Sequence, residues 1–313
     1  MAKEQFREKR FGAEKEILLH KIKLIVQEYQ NQDIKLTLRQ LYYQLVARDI
    51  IPNEVKEYQK LSGILTDARY CGLVDWSAIE DRIRVPEMHG EWDNVLDLIQ
   101  SAKASYRLPR WKEQEFYLEL FTEKDALSSV LQPIADRFHI HFCVNRGYTS
   151  ASSIYDLSKR VIEQIQNEKK VKILYLGDFD PSGQDMLRDI RDRLTELLEQ
   201  GDEYYSFEEN VEVIPIALTM AQVKQYNPPE NPAKLSDPRA KWYIREYGNK
   251  SWEVDALRPE VMIKLVENTI LELIDIDKYN AVIKQEKKDM GIVEDFAEKL
   301  VKKGGKENAT AKT

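Results

Sequence analysis

The chain has 313 residues, 42% apolar and 32% charged, with a formal net charge of −7. That length supports two domains with sizeable cores, and the balance of apolar and charged residues excludes a wholly disordered chain. No run approaches the roughly 18 apolar residues of a membrane span, and residues 1–12 lack the apolar centre of a signal peptide, so a cytoplasmic protein with no membrane partner is expected.

The charge is unevenly spread: residues 1–110 carry 18 Lys and Arg against 17 Asp and Glu, and the remainder 29 against 37. An acidic half can still face phosphates where its carboxylates hold divalent cations, which leaves the N-terminal half as the better backbone-binding surface. Cys71 and Cys143 sit in no pairing or zinc-ligand pattern, and His20, His89, His139 and His141 show no zinc spacing.

A first helix is expected over Ala13 to Tyr29, with Leu18, Ile22, Ile25 and Tyr29 on one face. Thr37 suits the N-cap of a second helix running to about Arg48, before Pro52. A third spans about Glu54 to Tyr70, with Tyr58, Leu61, Leu65 and Ala68 buried and Gly72 beyond its end. Leu73 to Arg84, anchored by Trp76 and Ile79, then fits a short wing or turn. Short helices with a wing resemble a winged-helix DNA-binding unit, and a generic helical packing domain has the same periodicity. Arg69 on the third helix suits a DNA-backbone contact or an ordinary surface position equally.

From Glu115 the pattern changes. Phe116, Leu118 and Leu120 alternate as a strand, and TEKDAL opens a helix to about Phe138. His139 to Val144 reads as a strand on which His139 and His141 alternate, and Thr149 to Gln166 as a helix. Val171 to Gly177 is the continuous apolar run of a parallel strand buried on both faces. A helix over Ser182 to Gln200 and a strand over Val211 to Leu218 follow. This β-α-β-α-β-α-β order implies an open, mostly parallel α/β sheet. The Pro-rich stretch Tyr226 to Pro238 reads as a loop, and beyond it an aromatic-rich segment (Trp242, Tyr243, Tyr247, Trp252) leads into helices reaching about Lys303. The expected division is therefore a helical, winged-helix-like domain over 1–110, an α/β domain with a helical extension over 111–303, and an unstructured tail over 304–313.

Three carboxylates fall where strands end: Glu123 after the first, Asp178 and Asp180 after the third. The carboxyl ends of strands form the ligand crevice of open α/β sheets. Pro181 and Gly183 allow the sharp reversal that turns both Asp residues inward. Crowded carboxylates repel each other unless a cation offsets them, and Mg²⁺ accepts one or two carboxylates plus a substrate phosphate. Asp178 and Asp180 could instead serve only to cap the next helix. The full combination of Glu123-Lys124, Gly147-Tyr148 and Asp178-Phe-Asp180-Pro181-Ser-Gly183 is more specific. It resembles the Toprim domain, a Rossmann-like fold, and more closely the A subunit of type IIB topoisomerases (topoisomerase VI) and the related meiotic double-strand-break transesterase. WEVDAL, Trp252 to Leu257, resembles that family's C-terminal region. The resemblance covers most of residues 35–285, in a chain closer in length to the compact stand-alone forms called Mini-A.

In LRQLYYQL, Leu38, Leu41, Tyr42, Leu45 and Val46 form one apolar face, and Tyr43 turns away from it beside Arg39, one helical turn earlier. Tyr42 therefore suits the core and Tyr43 an exposed position, where it could pack on a partner surface or act chemically. Arg39 would favour its phenolate and hold a phosphate. Arg39-x-x-Tyr42-Tyr43 also resembles the family's catalytic helix, whose second tyrosine is the nucleophile. The resemblance implies a Mg²⁺-dependent enzyme that cleaves double-stranded DNA through a tyrosyl ester on Tyr43, assisted by Arg39, with Glu123, Asp178 and Asp180 as metal ligands. It also implies a homodimer in which one protomer's tyrosine faces the other's metal site. No P-loop is present, so any ATP dependence belongs to a separate ATPase subunit. Two other readings stand beside this one. The first is a Toprim nuclease of a defence or chromosome-maintenance complex, in which water attacks. The second is a non-catalytic DNA-binding scaffold.

Overall fold

The computed structural model describes residues 5–32, 34–79, 91–145, 147–200 and 204–310. The chain forms two compact units, one from residues 1–84 and 118–270 and one from residues 85–117 and 271–313. The units divide differently from the expected boundary at residue 110, because the chain leaves the first unit and returns to it.

The first unit opens with helices α1 (Ala13–Gln30), α2 (Leu38–Ala47) and α3 (Val55–Tyr70). Helix α1 buries Leu19, Ile22, Ile25, Val26 and Tyr29, the spacing of one helical face. Helix α2 starts at a capping box: the Gln40 N–H donates to the Thr37 hydroxyl, and the Thr37 N–H donates to the Gln40 side-chain carbonyl. Helix α3 buries Leu61, Ile64, Leu65 and Ala68. All three share an apolar core that also takes in Tyr42, Tyr43 and the distant Ala256. After α3, Trp76–Ala78 is a single 3-10 turn, and Cys71 and Ile79 make isolated bridges to Gln5 and Leu36. Among the described residues this segment forms no wing hairpin; residues 80–84, and His89, lie outside them. Arg69 donates to the Trp76 carbonyl at 2.7 Å and stacks on its ring, so it ties α3 to that turn.

Helix α4 (Val95–Ser105), next in the chain, belongs to the second unit. The sheet of the first unit follows: β1 (Phe116–Thr122), β2 (His141–Val144), β3 (Lys170–Leu176) and β4 (Val211–Ala217), parallel, in the order β2-β1-β3-β4. Helices α5 (Ser128–Phe138), α6 (Ala151–Gln166) and α7 (Pro181–Glu199) connect the strands. β1 and β3 are almost wholly buried, as strands covered on both faces must be. Glu119 within β1 is tolerated there because Arg160 of α6 grips it with two bonds, of 2.7 and 2.9 Å. β2 starts two residues later than expected because His139 adopts a left-handed conformation as the C-cap of α5. From β1 the chain steps outward to β2, and from β3 it steps the other way to β4. The strand order therefore reverses between β1 and β3, and their carboxyl ends frame a crevice.

Helices α8 (Phe207–Asn210) and α9 (Met220–Tyr226) lead into the stretch expected to be a plain loop. It contains β5 (Glu230–Pro232), which pairs antiparallel with β6 (Lys250–Trp252) across helix α10 (Ala240–Tyr247). A three-residue strand ending in proline has no period to read, and its partner supplies the register. A 3-10 turn, Val254–Ala256, and helix α11 (Pro259–Leu273) follow.

In the second unit α4, capped by Asn94, packs on helix α12 (Ile276–Thr310). Arg110 pairs with Glu286 at 2.7 Å and the Tyr106 hydroxyl donates to Asp289 at 2.9 Å. Helix α4 buries none of its residues. Helix α12 runs to Thr310, through most of the stretch expected to be an unstructured tail, with Lys and Glu as helix formers on either side of Gly304 and Gly305. Among the described residues no helix is long and apolar enough to cross a membrane.

Candidate active site

Glu123 follows β1 and Asp178 follows β3, so the strand reversal brings them together. The Asp178 N–H donates to Glu123 Oε1 at 2.7 Å, and Glu123 is only 8% exposed. Burial, then the neighbouring Asp178 carboxylate, push the Glu123 pKa up to about 8. Burial likewise raises Asp178, against the pull of Lys124. Both acids are thus disposed to hold their protons in the crevice.

Asp180 lines the same cavity but also caps α7: its Oδ1 accepts the Gly183 N–H at 2.6 Å, ahead of Pro181 at the first helical position. The capping role and the inward orientation therefore coexist. A Cβ on Gly183 would stand 2.2 Å from the Asp178 carbonyl oxygen, so only glycine lets the helix start this close to the acidic turn. Between the two acids, Phe179 exchanges backbone hydrogen bonds with Trp252 at 2.9 and 3.0 Å. Its ring packs among Tyr243, Tyr247 and Trp252. The aromatic-rich segment is thus the clamp that fixes the Asp-Phe-Asp turn.

The same clamp delivers two acids that sequence reasoning did not assign, Glu253 and Asp255 of WEVDAL. The Lys124 ammonium lies 2.7 Å from Asp178, 2.8 Å from Asp255 and 2.9 Å from Glu253. Burial opposes its charge, but Asp255, Asp178 and Glu253 together hold its pKa above the ordinary lysine value. Arg39 forms an ion pair with Glu253, and its Nε lies 2.9 Å from Asp255 Oδ2. Burial would raise Glu253, but Lys124 and Arg39 outweigh it and bring its pKa down to about 2. Asp255, with no exposed side-chain surface, is raised by burial despite the same two cations. Lys124 is therefore a buried counter-ion, neither solvated nor free for a phosphate. The two alternating acids of WEVDAL were the available signal.

Tyr43 is placed differently from the expectation. It is 4% exposed, within the apolar core, although it faces the opposite way from Leu41 and Leu45 around the helix. The reason is tertiary: the Val254–Ala256 turn covers the second face of α2, which a local periodicity cannot register. Arg39 Cζ stands 5.9 Å from the Tyr43 ring, as the shared helical face requires. It does not favour the phenolate, however. Burial raises the Tyr43 pKa, Glu253 and Asp255 raise it further, and Arg39 only partly opposes them. Tyr42 is the structural tyrosine, its hydroxyl placed 3.1 Å from both Asn53 Oδ1 and the Glu54 carbonyl.

Arg39, Tyr43, Glu123, Lys124, Asp178 and Asp180 all line one cavity of about 600 Å³. Gly147, at φ +102°, lines it too, and the next residue, Tyr148, donates its hydroxyl to Asp185 at 2.5 Å. All the residues proposed from the sequence thus open onto one hollow. Among the described residues, however, no three or more His, Cys, Asp or Glu side chains converge as a ligand set for a metal ion. Asp180 is partly committed to its helix, and Lys124 stands among the other acids. Asp178 is engaged too, by the Lys124 ammonium at 2.7 Å and the Val254 N–H at 2.8 Å, so Glu123 and Asp178 would have to share these contacts with a hard divalent cation that takes one or two carboxylates and fills its other positions with water and phosphate. Burial is the main cause of the raised pKa of both acids. No protein-family model matches the sequence, and no curated protein matches it.

Proposed function

We propose that this chain is a Mg²⁺-assisted DNA-cleaving enzyme resembling the topoisomerase VI A subunit, with Tyr43 as its nucleophile. The observation that carries this reading is the convergence of α2, the end of β1 and the end of β3 on one cavity, which sets the Tyr43 phenol among the acids. Glu123 and Asp178 would hold the cation, with Asp180 beside them. Mg²⁺, when bound, supplies Lewis-acid stabilisation of a phosphoryl oxygen and of the departing sugar oxygen.

The chain's own residues do the rest. Helix α2, pinned by Arg39 to Glu253 and Asp255, holds the Tyr43 hydroxyl in a fixed direction. The aromatic clamp on Phe179 fixes the acids opposite it. Burial keeps the phenol protonated and shielded until a phosphodiester enters. Double-stranded DNA is the substrate of this reading, with a separate ATPase subunit as the source of any ATP dependence. The test is a denaturing gel of wild-type protein, Mg²⁺ and end-labelled DNA. Label carried with the protein, and its loss in Tyr43→Phe, is the expected result. Equal cleavage by Tyr43→Phe overturns it.

A second reading, a Toprim nuclease in which water attacks, is favoured by the same upward shift of Tyr43, which makes the phenol a poorer nucleophile. It gives free DNA ends and activity lost in Asp178→Ala but kept in Tyr43→Phe.

A further inference from the structure

We infer that helix α10 and the turn before it receive an unpaired stretch of DNA, with the exposed indole of Trp242 stacking on a base just outside the acidic hollow. The inference rests on the DNA-cleaving reading above and narrows its substrate to duplex that carries unpaired bases beside the position of attack.

At about 600 Å³ the hollow has the size of a site for one small molecule. A duplex is too wide to enter it, so a phosphodiester reaches Glu123 and Asp178 as a short piece of one strand. The nucleotides next to that piece cross the rim. One wall is the β5–β6 pair, which contributes Asn231, Pro232, Ser251 and Trp252. The connection between those two strands carries Lys234, which lines the hollow and is exposed, and then α10.

Helix α10 is held in one orientation. The buried Tyr243 hydroxyl lies 2.8 Å from the Phe179 carbonyl and 2.9 Å from the Lys250 carbonyl. The Tyr247 and Phe179 ring centroids are 4.9 Å apart, and those of Trp242 and Tyr247 5.9 Å. Trp242 therefore stands two ring contacts from the Asp178-Phe179-Asp180 turn, yet it is 46% exposed. A large ring already fixed by its neighbours is a platform that binding need not order. Every base has a face that can stack on such a ring, but in an intact duplex both faces are covered by the neighbouring pairs.

The local charge agrees with this occupant. The chain carries −7 overall, whereas residues 224–250 hold six Lys and Arg against three Asp and Glu. Lys241, beside Trp242, is exposed. Arg239 Cζ stands 5.1 Å from the centroid of the Tyr148 ring, next to Gly147 of the same hollow. A strand with bare bases and bare phosphates thus meets flat rings for the former and cations for the latter.

The test is binding of the full chain, by fluorescence anisotropy, in EDTA and again with Ca²⁺ in place of Mg²⁺. Two labelled DNAs that share one strand are compared, a fully paired duplex and one with a central unpaired bubble. Wild type is expected to bind the bubble about tenfold more tightly. Trp242→Ala should lose that preference while keeping its affinity for the paired duplex, and Trp242→Phe should retain most of it. Trp242→Leu, which covers Tyr247 without an aromatic face, runs in parallel in case Trp242→Ala does not fold, and should behave like it. Lys234→Gln combined with Lys241→Gln should flatten the slope of log affinity against log salt on the bubble by about 1.4, the value for two phosphate contacts on a single strand. Equal affinity of wild type for the two DNAs, or a preference that survives in both the Ala and Leu variants, overturns the inference and leaves the cleavage reading standing. Wild type that binds neither DNA in either condition defeats the DNA reading itself and takes this inference with it.

Discussion

Lys124 Nζ lies 2.8 Å from the carboxylate of Asp255, an ion pair with Asp178, Glu253 and Arg39 gathered around it. A buried pair gains little over apolar residues of the same volume, yet removing one partner strands the other in a medium that cannot solvate it. Lys124→Met is therefore expected to cost about 3 kcal/mol in urea unfolding, and Asp255→Leu a similar amount. The double substitution should lose less than the two singles combined, since each single leaves a charge that the double removes. Strict additivity would show that the two groups do not interact.

The pH dependence of stability follows from Glu123. Its folded pKa of about 8 lies above the ordinary value of 4.5. Between those values the folded protein keeps a proton that the unfolded chain releases. The stabilisation is complete below the lower value and is lost as pH rises through the upper one. Relative to Glu123→Gln, wild type should weaken by about 1 kcal/mol per pH unit across that window and level off above it. Parallel stability curves for the two proteins would dismiss the assignment.

Mg²⁺ binding carries the opposite sign. If Glu123 and Asp178 hold the cation, it must displace their protons, so calorimetric affinity should rise with pH over the same window. Glu123→Gln should bind weakly and with little pH dependence. Wild-type affinity independent of pH would separate these acids from the metal.

Gly183→Ala forces a methyl group into the space of the Asp178 carbonyl, where the new Cβ would be 2.2 Å from oxygen. The helix start must move, at a cost of about 2 kcal/mol, and the acidic turn moves with it. Cleavage should fall at least tenfold while the fold survives, as judged by circular dichroism (a tenfold rate loss is about 1.4 kcal/mol). Unchanged activity would mean that the position of the turn is irrelevant to the chemistry.

Tyr42→Phe and Tyr43→Phe separate the adjacent tyrosines. The first loses hydrogen bonds to Asn53 and Glu54 and should destabilise by about 1 kcal/mol with cleavage retained. The second should keep its stability and lose the covalent adduct. Reversal of that pattern would assign the nucleophile to Tyr42.

Legibility of the sequence followed the range of the forces involved. The strands and helices of the sheet could be read because burial on two faces produces a continuous apolar run at β3, and because Asp180, Pro181 and Gly183 mark a helix start locally. That Glu123 and Asp178 close strands of one sheet could be read, but the adjacency of β1 and β3 that opposes them could not. Burial of Tyr43 could not be read, because the covering residue Ala256 lies at the far end of the first unit. The pairing of Lys124 could not be read for the same reason: its three carboxylates come from two separate segments. Strands β5 and β6 are too short to carry a period.

Arg39 and Glu253 meet across 214 residues of chain. At roughly 5–20 residues per second of synthesis, a nascent chain spends on the order of ten seconds or more with α2 outside the ribosome and its counterpart not yet made. During that interval the helix bearing Tyr43 has no lid, and Lys124 has no Asp255. The hollow is therefore closed only when translation of the first unit is nearly finished, and a product that stops short of Glu253 retains Tyr43 but lacks the segment that covers it.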